Sequence, residues 1–223
     1  MVYQSISCNS ILESADFGMI RIFIHGLTNQ TDSLVAAKLG VDGIGFILDE
    51  TDERYIEYTL AMNIIEQLPP MTTIFLQPDR LELPWLREMV TKLKIHNLIV
   101  PVSQYSNEIQ TLGARIILTG IADRLLEFAS LTSRRHSMIP IDMLFSMFRD
   151  MDKSSKQAWQ KVNQEHHLLI PCDVAPDELP EVLSNFKPGG LYFEGGTESH
   201  TGLQDFPLIQ AYIQTVHSVV ERV

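Results

Sequence analysis

Eight short apolar runs, alternating with stretches of helical periodicity, constrain the fold of this chain more than any other feature. The runs are rich in β-branched residues and apolar on both faces, which is typical of parallel strands buried on both sides. We predict strands at Arg21–His25, Gly43–Leu48, Thr72–Leu76, Asn97–Val100, Arg115–Thr119, Met138–Asp142, Leu168–Pro171 and Gly190–Glu194. Amphipathic periodicity predicts helices in the connections, among them Asp32–Leu39, Tyr58–Gln67, Leu83–Lys94 and Pro207–Val220.

This order of elements predicts an α/β fold, a (β/α)8 barrel of the TIM type, at the small end of the usual size for that fold. A doubly wound sheet is the competing architecture, but it normally has fewer strands and a glycine-rich first turn. The first turn here reads His25-Gly26-Leu27-Thr28, which is not a dinucleotide-binding fingerprint. We therefore expect a single domain over 1–223, with 1–18 as an N-terminal extension before the first strand.

Charge and composition narrow the range of partners. The formal net charge of −11 disfavours nucleic acid and anionic membranes, although it leaves room for a local basic pocket that binds a small anion. Two cysteines, Cys8 and Cys172, are too few for a disulfide framework and fit a reducing compartment. The sequence shows neither a run of about 20 apolar residues nor a signal peptide. We expect a cytoplasmic protein that binds a small molecule, and neither nucleic acid nor a membrane.

Short motifs occur in a characteristic order near both ends of the chain. Ile24–Thr28 (IHGLT) precedes Gly40–Phe46 (GVDGIGF), and Gly196–Glu198 (GTE) precedes Gly202–Asp205 (GLQD). In order and spacing they resemble the phosphoribosylanthranilate isomerases, which carry K-I-C-G-L-T, G-A-D-x-x-G-F, S-S-G-V-E and G-x-K-D. The ordered set carries the resemblance, since no single motif is specific. It implies an Amadori rearrangement of an N-ribosyl phosphate in tryptophan biosynthesis, without metal or cofactor.

The resemblance places candidate catalytic residues on two strands. His25 stands where the family has its catalytic base, a cysteine, and Asp142 stands where the family has its acid. A histidine with a pKa near 6.5 is able to act as a base near neutral pH. Two alternatives remain open: His25 only hydrogen-bonds inside a diverged barrel, and Asp142 only caps a helix or lies in a loop. Catalysis requires that the two side chains meet across one barrel mouth and share a sugar-like ligand.

Candidate substrate-binding residues follow from the same resemblance. Arg54 matches an arginine near the substrate carboxylate, and its alternative is a surface arginine neutralised by its acidic loop. Gly195 and Gly196 are expected to present backbone N–H groups to a phosphorylated sugar after the eighth strand.

Three departures from the family pattern disfavour a phosphorylated anion. Phe23 replaces a lysine of the first motif, and Asp173 and Glu194 bring negative charge to the turns after the seventh and eighth strands. We therefore adopt an isomerase-like protein with an altered site as the first hypothesis, and expect its activity to be weak or absent. A barrel that binds or transforms another small molecule is the second. A non-catalytic interaction protein, such as a homo-oligomer with an interface at Met143–Phe148, is the third.

Overall fold

The computed structural model describes residues 20–92, 94–194 and 198–220. Parallel strands β1 to β8 form a closed barrel in chain order, with β1 paired to both β2 and β8. The strands are β1 (Arg21–Ile24), β2 (Gly43–Ile47), β3 (Thr73–Gln77), β4 (Asn97–Pro101), β5 (Arg115–Gly120), β6 (Ser137–Pro140), β7 (His167–Pro171) and β8 (Gly190–Phe193). The predicted (β/α)8 barrel is confirmed, with strand ends shifted by one or two residues. The expected extension at 1–18 lies outside the described residues.

Helices surround the barrel: α1 (Gln30–Leu39), α2 (Tyr58–Ile65), α3 (Leu83–Lys92), α4 (Ala122–Leu131), α5 (Met147–Asp150), α6 (Lys153–Glu165), α7 (Leu179–Phe186) and α8 (Phe206–Val220). Helix α1 ends as predicted at Gly40, whose φ of 86° is the left-handed conformation that glycine adopts without strain. A small antiparallel hairpin, β9 (Glu198–His200) and β10 (Leu203–Gln204), precedes α8. None of the helices in the described ranges is long and apolar enough to cross a membrane.

The connection from β4 to β5 departs from the regular strand–helix alternation. Its described residues form two 3-10 turns, Val102–Gln104 and Ile109–Leu112, in place of an α-helix. The first turn contacts α4 and the second contacts α3, so the two turns fill the space between these helices. The outer layer is therefore thinner at this point than elsewhere around the barrel.

One apolar layer fills the interior of the barrel, and β2 contributes no side chain to this layer. The layer consists of Phe23, Phe75, Ile99, Ile117, Ile139, Leu169 and Tyr192, one residue from each of the other strands. On β2 a Cβ atom at Gly43 would lie 2.5 Å from the Phe75 ring and 2.9 Å from the Phe23 ring. The aromatic rings of β1 and β3 thus occupy the volume that β2 side chains would need.

The apolar segment Met143–Phe148, considered above as an interface, is only partly available at the surface. Met143, Phe145 and Phe148 are buried in the core, whereas Leu144 and Met147 are 43% and 47% exposed. A docking role for this segment would therefore depend on Leu144 and Met147.

Two buried histidines lie at the N-terminal end of the barrel strands. His136 precedes β6 and His166 precedes β7, and their relative exposures are only 7% and 2%. The backbone N–H of His136 donates to Nδ1 of His166 at 3.2 Å, and Tyr105 and Phe128 pack edge-on against the His136 ring. The His166 ring stacks on the His136 ring in this covered position.

These histidines predict a loss of stability in mild acid. Burial lowers the pKa of both imidazoles, so between pH 7.5 and 5.5 the unfolded chain takes up protons that the folded chain does not. Folding stability should therefore fall as the pH falls through this window. Urea unfolding at both pH values should show a smaller pH dependence in His136→Phe than in the parent. An unchanged dependence in His136→Phe, or an equal loss in the exposed control His96→Gln, would contradict this account.

Candidate functional site

The closure of the barrel places His25 beside Glu194. Strands β1 and β8 pair from Arg21 opposite Gly190 to Ile24 opposite Phe193, and the N–H of His25 continues the ladder with a 2.9 Å bond to the Phe193 carbonyl. Since alternate residues of a strand share a face, His25, Tyr192 and Glu194 all point into the barrel at its C-terminal end. We call this end the mouth, because parallel strands bring all their carboxyl ends to the same side.

His25, Tyr192 and Glu194 form one hydrogen-bonded cluster. Tyr192 Oη donates to Glu194 Oε2 at 2.6 Å and lies 2.5 Å from His25 Nδ1, which is itself 3.3 Å from Glu194 Oε2. A hydroxyl has one proton, so if Tyr192 donates it to the carboxylate, Nδ1 of His25 must carry the proton of the second bond. The His25 side chain is fully buried, and its Nε2 has no hydrogen-bond partner within the part of the chain described.

Glu194 remains a carboxylate despite its burial. Burial raises its pKa, but the hydrogen bond from His25, the charge of that imidazole when protonated, the Tyr192 hydrogen bond and the Arg54 charge together lower the pKa to about 2. Burial and the neighbouring Glu194 charge raise the pKa of Tyr192 well above its usual value. At neutral pH the cluster therefore contains an ionised Glu194 and a protonated Tyr192.

A second polar cluster holds Arg54 against the hairpin. The guanidinium makes a paired contact with Glu198, with Nε 3.0 Å from Oε1 and an Nη 3.0 Å from Oε2, and a further contact of 3.1 Å with exposed Glu53. The aliphatic part of Arg54 lies over Gly26, where a Cβ atom would be 2.6 Å from Arg54 Cδ. Hydrogen bonding to Glu198 is the main reason that the pKa of Arg54 is raised. Arg54 is thus largely covered and is paired with two carboxylates of this chain, Glu198 of the hairpin and Glu53 of its own acidic loop.

The motifs from the two ends of the chain contact one another through further bonds. Thr28 Oγ1 donates to the Gly202 carbonyl at 2.9 Å, and the N–H of Gln204 donates to the buried Asp32 carboxylate at 2.9 Å. These bonds join the start of α1 to the hairpin after β8. The motifs Ile24–Thr28 and Gly202–Asp205, from opposite ends of the chain, therefore meet at the mouth.

Asp142 lies at the same end of the barrel but is not part of the His25 cluster. It is exposed, it follows the end of β6 by two residues, and its Oδ1 accepts a 2.6 Å bond from the Ala122 N–H at the start of α4. Ile121, the N-cap residue of α4, provides no side-chain cap, so Asp142 supplies the missing acceptor. Within the described ranges, no hydrogen bond or ion pair joins Asp142 to His25.

The turn after β7, one of the two turns expected to hold a phosphate, is bonded to the loop that contains Ser146. After β7, the Asp173 carboxylate accepts a 2.8 Å bond from the Ser146 N–H and another from the Ser146 hydroxyl, and the Pro171 carbonyl accepts one from Phe145. This turn therefore presents a carboxylate that binds its neighbouring loop. After β8, Gly195 and Gly196 lie outside the described residues.

Two members of the site were not chosen from the sequence. Tyr192 stands two residues before Glu194, and the period of two along a strand could have placed both beside His25. Glu198 was recognised as part of a motif, but its pairing with Arg54 joins residues 144 positions apart and leaves no local signal. In the described part of the chain, no group of three or more His, Cys, Asp or Glu side chains is arranged to hold a metal ion.

Comparison with known proteins agrees with the motif pattern. No family model matches the chain. It is 24% identical over 224 aligned positions to the N-(5'-phosphoribosyl)anthranilate isomerase of Chlorobium phaeobacteroides, an alignment that covers 91% of this chain and 99% of the relative. The predicted resemblance to phosphoribosylanthranilate isomerases is confirmed.

Solved isomerase structures share the fold. The phosphoribosyl anthranilate isomerase of Thermotoga maritima superposes with a TM-score of 0.72 at 15% identity, covering 90% of this chain and all of the other. A phosphoribosyl anthranilate isomerase bound to reduced 1-(o-carboxyphenylamino)-1-deoxyribulose 5-phosphate gives a TM-score of 0.70 at 16% identity, again over 90% of this chain. At these identities the structural likeness establishes the barrel, while the sequence relatives establish which isomerases the chain resembles.

The two carboxylates that contact Arg54 should differ strongly in their effect on stability. Glu198→Gln removes the charge opposite a guanidinium whose side chain is only 15% exposed, so we expect a loss of about 3 kcal/mol in the free energy of unfolding. Glu53→Gln is the matched control, because its 65% exposed side chain should contribute less than about 0.5 kcal/mol. Urea unfolding measures both, and similar losses would refute the structural role of the Arg54–Glu198 pair.

The His25 cluster predicts a specific tautomer. Nitrogen-15 chemical shifts of the His25 side chain above pH 7.5 should show a proton on Nδ1 and none on Nε2, because Nδ1 faces Tyr192 and the ionised Glu194. Glu194→Gln should weaken this preference, since the charge that favours an Nδ1 proton is lost. Tyr212→Phe, which removes a buried hydroxyl bonded to Val174 instead, should not change it. Protonation at Nε2 in the parent would contradict the assigned hydrogen bonds.

Proposed function

We propose that this chain is a diverged relative of the phosphoribosylanthranilate isomerases that binds a small, sugar-derived ligand at the barrel mouth. We further propose that its activity in the Amadori rearrangement is weak or absent. The observation that supports this most directly is that His25, at the position of the family base, is fully buried and engaged by Tyr192 and Glu194. A base must come within hydrogen-bonding distance of the proton that it removes, and a buried imidazole cannot do so without rearrangement.

Two other proposed residues, Arg54 and Asp142, are also engaged in contacts within the protein. Arg54 is paired with Glu198, and Asp142 caps α4, so a substrate carboxylate or a departing ring oxygen would compete with existing partners. Leaving Glu198 or the Ala122 N–H without its partner would oppose substrate binding. We keep these two residues, with Gly195 and Gly196, as the proposed contacts for a substrate that displaces the internal bonds.

If the protein is active, its chemistry would use the groups in the following way. His25 would accept the carbon-bound proton at Nε2, the nitrogen that its hydrogen-bonded Nδ1 leaves unprotonated. Asp142, in its protonated form, would donate to the ring oxygen as the sugar opens. Such an acid must leave the α4 N-terminus or share its oxygen with it.

The second candidate is a barrel that binds or transforms a ligand without a phosphate group. It is supported by the ionised Glu194 at the mouth and by the carboxylate of Asp173 in the turn after β7. Each brings a negative charge to a region where a phosphate dianion would have to lie. This candidate becomes the better one if phosphorylated sugars fail to bind.

A direct rate measurement tests the proposed function. The purified protein is given N-(5'-phosphoribosyl)anthranilate, and ketose-amine formation is compared with that of the Chlorobium phaeobacteroides isomerase. We expect kcat/KM at least about 1,000-fold lower, which is the scale of losing effective proton transfer. Any residual rate should disappear in His25→Ala and Asp142→Ala and persist in His200→Ala, which changes an exposed residue of the hairpin.

Two outcomes of this assay would overturn parts of the proposal. A rate equal to that of the relative would show that the internal contacts do not block the reaction. A residual rate that survives His25→Ala would remove His25 from the mechanism and leave only the resemblance and the fold.

A further inference from the structure

The helix-free connection between β4 and β5 leaves a cleft on the outside of the barrel. The cleft has a volume of about 430 Å³ and is lined by Asn107, Gln110 and Thr111 of this connection and by Arg134 of the loop before β6. Gln110 and Thr111 belong to the 3-10 turn that leads into β5. The cleft therefore lies towards the N-terminal end of the strands, away from the mouth and its His25 cluster.

The side chains that line the cleft include N–H donors that have no partner in the described part of the protein. Throughout the described ranges, the Arg134 guanidinium makes no ion pair or hydrogen bond, and neither do the side-chain amides of Asn107 and Gln110. Thr111 differs from these three residues, because its hydroxyl donates to the Glu108 carbonyl oxygen at 2.7 Å. No carboxylate is among the lining residues. By contrast, the guanidinium groups of Arg54 and Arg124 each contact a glutamate.

Arg134 is the charged side chain among the lining residues of this cleft, in a chain whose formal net charge is −11. Its charge influences the pKa of two neighbouring aromatic side chains. Burial, then the neighbouring His166 and then Arg134, lower the pKa of His136. Burial raises the pKa of Tyr105, and the Arg134 charge opposes that rise. An anion that enters the cleft would therefore meet an unneutralised positive charge.

We infer that the cleft binds a small oxyanion, a carboxylate or phosphate group, with Arg134 as its principal ligand and the Asn107 and Gln110 amides as secondary donors. A guanidinium presents paired donors that match two oxygens of either group. The cleft is open to solvent, so the anion can be part of a larger metabolite that extends beyond it. The site is separate from the proposed function at the mouth, and either can fail without the other.

Calorimetric or NMR titration with inorganic phosphate and with succinate, at constant ionic strength, tests the inference. We expect saturable binding with a dissociation constant on the order of 1 mM, since a single guanidinium carries most of the interaction. Arg134→Gln should weaken binding at least about tenfold, which is the scale of one charge-assisted pair. Arg124→Gln, which changes an exposed arginine of α4 already paired with Glu127, should leave the affinity unchanged. The stronger of the two titrants identifies the preferred oxyanion.

A second variant tests the site independently of any folding defect in Arg134→Gln. Gln110→Leu removes one amide donor and keeps the charge, so it should weaken binding less than Arg134→Gln while preserving the circular dichroism spectrum of the parent. The inference is wrong if neither phosphate nor succinate binds saturably. It is also wrong if Arg134→Gln binds as tightly as the parent, or if Arg124→Gln weakens binding as much.

Discussion

The pairing of β1 with β8 is the constraint on which the site depends. These strands come from opposite ends of the described chain, and their register brings His25 alongside Glu194 and Tyr192. The same closure places the hairpin after β8 against the loop that follows β2, where Glu198 meets Arg54. Each contact joins residues that are far apart in the sequence. Because barrel closure already brings the partners together, forming each contact costs little additional chain entropy. The mouth is thus a product of the barrel topology rather than of any single motif.

The sequence predicted the barrel well because its strands are apolar on both faces and their order alone specifies the neighbours. It also placed His25 on the inner face correctly, since strand alternation is a local rule.

The sequence could not show that Asp142 caps α4. That contact arises because Ile121 is the only residue between β5 and α4, which brings the Ala122 N–H next to the end of β6. The partners are 20 residues apart in sequence, and nothing near Asp142 indicates Ala122.

The polar groups at the mouth are largely paired with one another. Glu194 has its charge stabilised by His25 and Tyr192, and Arg54 has its charge matched by Glu198. Polar groups that are paired with one another stabilise the native state, whereas a catalytic base needs a free proton-accepting atom that its substrate can reach. Among the polar atoms of the His25 cluster, Nε2 of His25 is such an unpaired atom, and it is buried. The mouth therefore combines a stabilising polar cluster with one unused imidazole nitrogen.

Phe23 is central to the packing of the barrel interior. Its ring centroid lies 5.0 Å from that of Phe75, and the ring fills the space above Gly43 and Gly190, neither of which could carry a Cβ atom beside it. The isomerase motif has a lysine at this position, but an ammonium placed here would enter a dry aromatic and aliphatic layer with no carboxylate among its members. A lysine in place of Phe23 would therefore lack a counter-charge in this layer and would leave Phe75, Gly43 and Gly190 without the ring that packs against them. The packing of the interior thus makes this strand position incompatible with a buried cation.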